Sequence, residues 1–237
     1  MLACPCRPAQ SQTAASPGRG VSLTRGQLEC RRSPTSWTTA YSSERCESAY
    51  VRGHIPRAYH VELRPAFAAW VGWVVPFGTP IIFVSDAPGA PEEAVRQRRR
   101  IGHDELPGYL EGGRAAWEAA GLPIARTPVL TMREVRERLE RKEPVVVLDI
   151  CQDAEWAVGH LPQARHIEAG AIAAADLAVA HGTPLATHCE HGQRSATALS
   201  VLERRGFGDL RLITDGLQDW RRAGGPVVRD GAAGGRT

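Results

Sequence analysis

Short apolar runs bounded by turn residues alternate along this chain with segments of helical period. Val145-Val146-Val147-Leu148, ended by Asp149-Ile150, is one such run. Pro80–Val84 and Pro184-Leu185-Ala186-Thr187-His188 are two more. Continuous apolar runs of this length predict strands buried on both faces of a parallel sheet. Ser195–Leu202 has a different period, with Ala198, Leu199 and Leu202 on one face, and predicts a helix with one buried side. Thr131-Met132-Arg133-Glu134 is a capping-box pattern and predicts a helix running through Leu139. Trp37–Tyr41 reads as a strand too, although it is poorly apolar for a sheet interior. Residues 66–84 carry no charge, but Pro76, Gly78 and Pro80 would break a membrane-spanning helix. That segment is expected to be a helix, a loop and the strand Pro80–Val84. Strands alternating with helices imply a parallel sheet covered by helices on both faces, an α/β architecture.

The pattern occurs twice. Gly53-His54-Ile55-Pro56-Arg57-Ala58-Tyr59-His60-Val61-Glu62 matches Gly159-His160-Leu161-Pro162-Gln163-Ala164-Arg165-His166-Ile167-Glu168. Thr79-Pro80-Ile81-Ile82 matches Thr183-Pro184-Leu185-Ala186. Gly112-Gly113 with Trp117 and Gly121 matches Asp215-Gly216 with Trp220 and Gly224. An offset of about 105 residues is too long for a solenoid repeat and marks a duplicated domain. A linker centred on Gly121–Pro128 separates the copies. The expected organisation is a disordered leader (1–34), a first domain (35–126), a second domain (127–230) and a disordered tail (231–237).

Composition narrows the class. The chain has 237 residues, enough for two domains of about 100–150 residues each. Hydrophobic residues at 43% and charged residues at 23% fit a soluble globular protein. A net charge of +3 is too small to argue for nucleic acid. The N-terminus lacks the apolar stretch of a secretory signal. The six cysteines, Cys4, Cys6, Cys30, Cys46, Cys151 and Cys189, show no disulfide framework. Cys4-Pro5-Cys6 has no second ligand pair nearby, so no metal and no cofactor are expected. Neither a nucleic-acid nor a membrane partner is expected, and the location is expected to be cytoplasmic, where a reactive thiol stays reduced.

The chemistry centres on Cys189. It stands where the run Pro184–His188 meets the helix, in the loop Cys189-Glu190-His191-Gly192-Gln193-Arg194. A cysteine there faces the free N–H groups of the first helical turn, and comparable thiols ionise with pKa values between roughly 3.5 and 7.5. Arg194 adds a permanent cation. Glu190 works against early ionisation. His191 is either a proton acceptor for an incoming thiol or an exposed turn residue. Aligned on the repeat, Ser85 stands at the place of Cys189 and Ala90 at that of Arg194. The first loop, Ser85-Asp86-Ala87-Pro88-Gly89-Ala90, lacks a thiol and a cation and is expected to be catalytically silent.

The second-copy loop, with Asp149-Ile150, Gly159-His160-Leu161-Pro162-Gln163-Ala164, Asp215-Gly216 and Trp220, resembles the rhodanese (sulfurtransferase) family in tandem form. Trp70-Val71-Gly72-Trp73 and Gly108-Tyr109-Leu110-Glu111-Gly112-Gly113 resemble the rhodanese tail of metallo-β-lactamase-fold proteins of the persulfide-dioxygenase type. No His-x-His-x-Asp-His run accompanies them, so the metal-dependent activity is not implied, and a separate protein of that fold becomes a candidate partner. The resemblance implies two three-layer α/β/α domains, each with a mainly parallel sheet of about five strands. It implies Cys189 as nucleophile, Glu190, His191, Gly192, Gln193 and Arg194 as the substrate-binding loop, and a small sulfur donor with a thiol or cyanide acceptor. Arg194 would pair with a donor oxyanion or brace the loop. Relatives carry arginine where this chain has Cys151, which leaves a relay thiol and an inert buried thiol as alternatives. The rivals are a non-catalytic sulfur carrier or binding module, and a cysteine phosphatase or arsenate reductase. The latter loops place five residues between cysteine and arginine, where this chain has four. Residues 128–237 contain the whole loop, so that fragment is expected to keep the Cys189 chemistry.

Overall fold

The computed structural model describes residues 38–41, 46–87, 89–102 and 108–229. The expectations for the leader, the tail and Pro88 lie outside the described residues. Two parallel sheets form, one from each copy. The first contains β1 (Thr38–Tyr41), β2 (Tyr59–His60), β3 (Ile81–Val84) and β4 (Gly108–Leu110), in the order β2-β1-β3-β4. Its helices are α1 (Cys46–Arg52), α2 (Phe67–Val74), α3 (Ala90–Arg99) and α4 (Gly113–Ala119). The second contains β5 (Val129–Leu130), β6 (Val146–Asp149), β7 (Arg165–His166), β8 (Leu185–His188) and β9 (Leu210–Ile213), in the order β5-β9-β8-β6-β7. Its helices are α5 (Met132–Glu140), α6 (Asp153–Val158), α7 (Gln193–Arg204) and α8 (Leu217–Arg222). Every strand pair in both sheets is parallel.

The apolar runs became strands for the expected reason. All four residues of β3 and all four of β8 are buried, as strands covered by helices on both faces must be. The uncharged stretch 66–84 divides into α2 and β3, with Pro76 and Gly78 between them. No helix among the described residues is long and apolar enough to cross a membrane. The capping box of α5 is made: Thr131 accepts from the Glu134 N–H at 3.2 Å, and Glu134 accepts from the Thr131 N–H at 2.7 Å.

The duplication extends to individual hydrogen bonds. The order β7-β6-β8-β9 repeats β2-β1-β3-β4, with β5 added at the edge. His54 stacks on Tyr50 and bonds its carbonyl at 2.9 Å; His160 stacks on Trp156 and bonds its carbonyl at 3.0 Å. The Trp117 indole donates to the Pro123 carbonyl and the Trp220 indole to the Pro226 carbonyl, at 2.9 and 2.7 Å.

Two expectations need correction. The helix α7 does not have one buried side: every residue from Ser195 to Leu202 is buried. The positions Ala198, Leu199 and Leu202 form one face, and the first copy covers another. The His60 N–H donates to Ser200 Oγ at 2.9 Å, and the Arg57 N–H donates to Glu203 at 3.1 Å. His54 Nε2 lies 3.2 Å from Glu203, and the Arg204 guanidinium sits 4.3 Å above the Tyr59 ring. One apolar core runs through both copies, from Phe67 and Phe83 to Leu148, Cys189 and Leu199.

The second correction concerns the repeat at the loop. The strands β3 and β8 stay in step, but α3 begins at Ala90 and α7 at Gln193. The first loop is therefore one residue longer. By helix position Pro91, not Ala90, stands where Arg194 stands. Neither is a cation, so the silent-copy reading is unaffected.

Candidate active site

Cys189 is the first residue after β8, and the chain needs only three more residues to enter α7. So tight a turn requires a left-handed residue, and Gly192 supplies it with φ 79°. The first helical bond runs from the Ala196 N–H to the Gly192 carbonyl at 2.9 Å. The N–H groups of the residues before Ala196 have no carbonyl partner within the helix, which is the general condition of a helix N-terminus and favours an anion at the loop. Cys189 is 1% exposed and belongs to the apolar core shared by the two copies.

The residues expected to bind substrate divide in the structure. Glu190 and His191 are exposed. The Glu190 carboxylate packs against Gly216 at the turn into α8, where a Cβ would stand 3.0 Å from it. Gln193 points to the first copy: Arg64 donates to its Oε1, and its Nε2 lies 3.5 Å from Glu62. Arg64 is in turn paired with Glu62.

Arg194 is held by both oxygens of Glu155, one of them at 2.9 Å. Glu155 pairing pushes the Arg194 guanidinium up in pKa, and the same contact holds the Glu155 carboxyl below the usual carboxylate range. Both the Cys189 and the Cys151 sulfurs lie within electrostatic reach of this guanidinium. The sequence reading missed Glu155. Its one local signal was the box Gln152-x-x-Glu155 that opens α6, where Glu155 also accepts from the Gln152 N–H at 2.9 Å.

A cleft opens beside Arg194. Its lining combines Ile150, Gln152, Glu168 and Gly170 of the second copy with Trp70 and Trp73 of the first. The two indoles meet edge to face, 5.0 Å between centroids. Gly170 lies so close to Trp73 that a Cβ there would stand 3.2 Å from the ring.

Asp149, Cys151 and His188 gather at the sheet end below the loop. Asp149 and His188 are direct partners in the parallel register of β6 and β8, so their side chains leave the same face, and Cys151 follows two residues on. His188 Nε2 is 3.5 Å from the Asp149 carboxylate, which also accepts from the Cys151 N–H at 3.0 Å. Burial alone would raise the Asp149 carboxyl; His188 and the Cys151 contacts overcome it and hold it low. Burial, with Asp149 beside it, pushes the Cys151 thiol well up, so Cys151 keeps its proton. That favours the inert thiol over the relay.

The first copy's loop spends polar groups on partners within that copy. Ser85 Oγ accepts from the Ala87 N–H at 3.2 Å, and Asp86 accepts from the Arg114 N–H at 2.7 Å.

The family model described as "Rhodanese-like domain" matches this chain twice, over residues 42–120 and 131–223. The chain belongs to the rhodanese-like family. Among curated relatives, the thiosulfate sulfurtransferase GlpE of Pseudomonas aeruginosa strain LESB58 is 36% identical over 85 residues, covering 34% of this chain and 74% of the relative. The protein of the same name from Pseudomonas putida strain GB-1 is 30% identical over 95 residues, covering 40% of this chain and 86% of the relative. Of solved structures, a thiosulfate sulfurtransferase from Pseudomonas aeruginosa aligns with 88% of this chain and 44% of its own, at 20% identity and a TM-score of 0.39. The two matches of the family model establish a tandem pair of rhodanese-like domains in this chain.

Proposed function

We propose that the protein transfers a sulfane sulfur from thiosulfate or a related donor to a thiol or cyanide through a persulfide on Cys189. The Cys189 thiolate attacks the outer sulfur of the donor. A sulfur–sulfur bond forms, the bond to the sulfonate sulfur breaks, and sulfite leaves with the electron pair. The acceptor anion then attacks the outer sulfur of the persulfide and regenerates the Cys189 thiolate, so no outside oxidant or reductant is needed. The loop N–H groups lower the energy of the anionic sulfur and the departing oxyanion. Arg194 acts as a positioning residue, because Glu155 already claims both arms of its guanidinium. A small-molecule donor and acceptor are the expected partners.

The observation that carries this reading is a buried cysteine at the base of a tight loop, with a helix N-terminus above it and Arg194 in electrostatic reach. The test uses the full chain with thiosulfate and cyanide. Thiocyanate should form catalytically, and mass spectrometry after thiosulfate alone should find one extra sulfur on Cys189. Cys189→Ser should lose both. Turnover that survives in Cys189→Ser would sink the assignment, whereas sulfur loading without turnover would favour a carrier.

A further inference from the structure

We propose that Asp149, Cys151 and His188 form a binding site for one divalent metal ion of the zinc class, beneath the Cys189 loop. One ligand atom from each residue lies within 4.8 Å of the other two. A tetrahedral zinc site with Zn–N near 2.0–2.1 Å and Zn–S near 2.3 Å has ligand atoms about 3.3–3.8 Å apart. Side-chain shifts of about an ångström therefore close the site, with no movement of the strands that carry it. All three residues are buried, at 2%, 7% and 2% exposure.

Three observations point to an ion. The donor set of one carboxylate, one thiol and one imidazole suits a borderline-soft divalent cation and leaves a fourth position for water or a further ligand. His188 turns Nε2 toward the Asp149 carboxylate at 3.5 Å, too long for a good hydrogen bond, and its Nδ1 is buried with no hydrogen-bond partner among the described residues, so neither ring nitrogen is well satisfied. The charges also balance. Coordination replaces the Cys151 S–H proton, which leaves to solvent, and one doubly positive ion then faces one thiolate and one carboxylate. The three residues have no metal-ligand spacing along the chain; the parallel register of β6 and β8 assembles them.

The experiment titrates the reduced full-length protein with cobalt(II) and reads its spectrum. One equivalent should produce a thiolate-to-cobalt charge-transfer band with the intense d–d bands of four-coordinate cobalt, and zinc(II) should displace it. Cys189→Ser and the double variant Cys4→Ser, Cys6→Ser should keep the spectrum. Cys151→Ala should lose the charge-transfer band and bind more than about tenfold more weakly, the least that loss of even an outer partner costs. If that variant does not fold, Cys151→Ser keeps the shape and should lose the band likewise. A wild-type protein with no such band would overturn the proposal. So would a band that survives in the folded Cys151 variant or disappears in Cys189→Ser or the Cys4, Cys6 variant. No step of this test reads sulfur transfer, so it stands or fails separately from the proposed activity.

Discussion

Ser200 offers the sharpest test of how the two copies are joined. Its hydroxyl donates to the Thr197 carbonyl one turn back, at 2.7 Å, and accepts from the His60 N–H of the first copy at 2.9 Å. Ser200 is 0% exposed and His60 1%. Ser200→Ala removes one oxygen and opens almost no space, so the cavity cost is small. The loss falls on the His60 N–H, which is left in a dry interface without its acceptor. An orphaned buried donor costs about 1–3 kcal/mol. For a chain of this size each kcal/mol shifts the thermal midpoint by about 2–4 °C, so a mid-range loss of about 2 kcal/mol lowers it by about 4–8 °C. The assay is thermal unfolding of wild type and Ser200→Ala, with amide hydrogen exchange to follow the His60 N–H, which should exchange faster in the variant. A midpoint within about 1 °C of wild type, with His60 still protected, would show that this bond does not hold the copies together.

The pair Glu155–Arg194 should contribute about 1 kcal/mol, kept small because Glu155 is 43% exposed. The folded Glu155 carboxyl lies below its unfolded value, so its contribution is complete above the ordinary carboxylate range, near 4.3, and is lost as pH falls through the lowered value. Glu155→Gln should therefore be less stable than wild type at pH 7 and equal to it in strong acid; a gap that persists in acid would contradict this. The fragment 128–237 should unfold at lower temperature than the full chain and lose most sulfurtransfer, because α7 and the cleft both depend on the first copy; a fragment as stable and active as the full chain would refute it. Ser85→Cys combined with Cys189→Ser should show no turnover, since Pro91 stands at the arginine position and the Asp86 carboxylate adjoins the new thiol.

What could be read from sequence was local or repeated. The strands β3, β6 and β8 were legible because burial on both faces leaves an unbroken apolar run. The capping box of α5 was legible because its two partners are three residues apart. What escaped depended on distance along the chain. Glu155 meets Arg194 across 39 positions, and nothing near either residue announces the other. The outer face of α7 bears Ala196, Thr197 and Ser200, small or polar residues that read as solvent-facing. They are small because β2 and α1 pack closely against them. The one-residue difference between the loops was hidden because strand register and helix start shift independently.

The same asymmetry says why a copy without a thiol still matters. In the first copy, α3 packs against its own neighbour α2. In the second copy the segment matching α2 is a series of turns, so α7 lacks an equivalent helix of its own. The first copy fills that place with α1 and β2, while its α2 sets Trp70 and Trp73 over the cleft beside Arg194. The first loop, Ser85 to Ala90, holds no thiol and no cation, yet these surfaces of the first copy are intact. Selection on such a chain would tolerate change at Ser85 and Asp86 far more readily than at His60, Trp70 or Trp73. The expectation that the second copy works alone assumed that an active loop is complete once its residues are present. The loop is local, but the helix behind it and the wall in front of it are not.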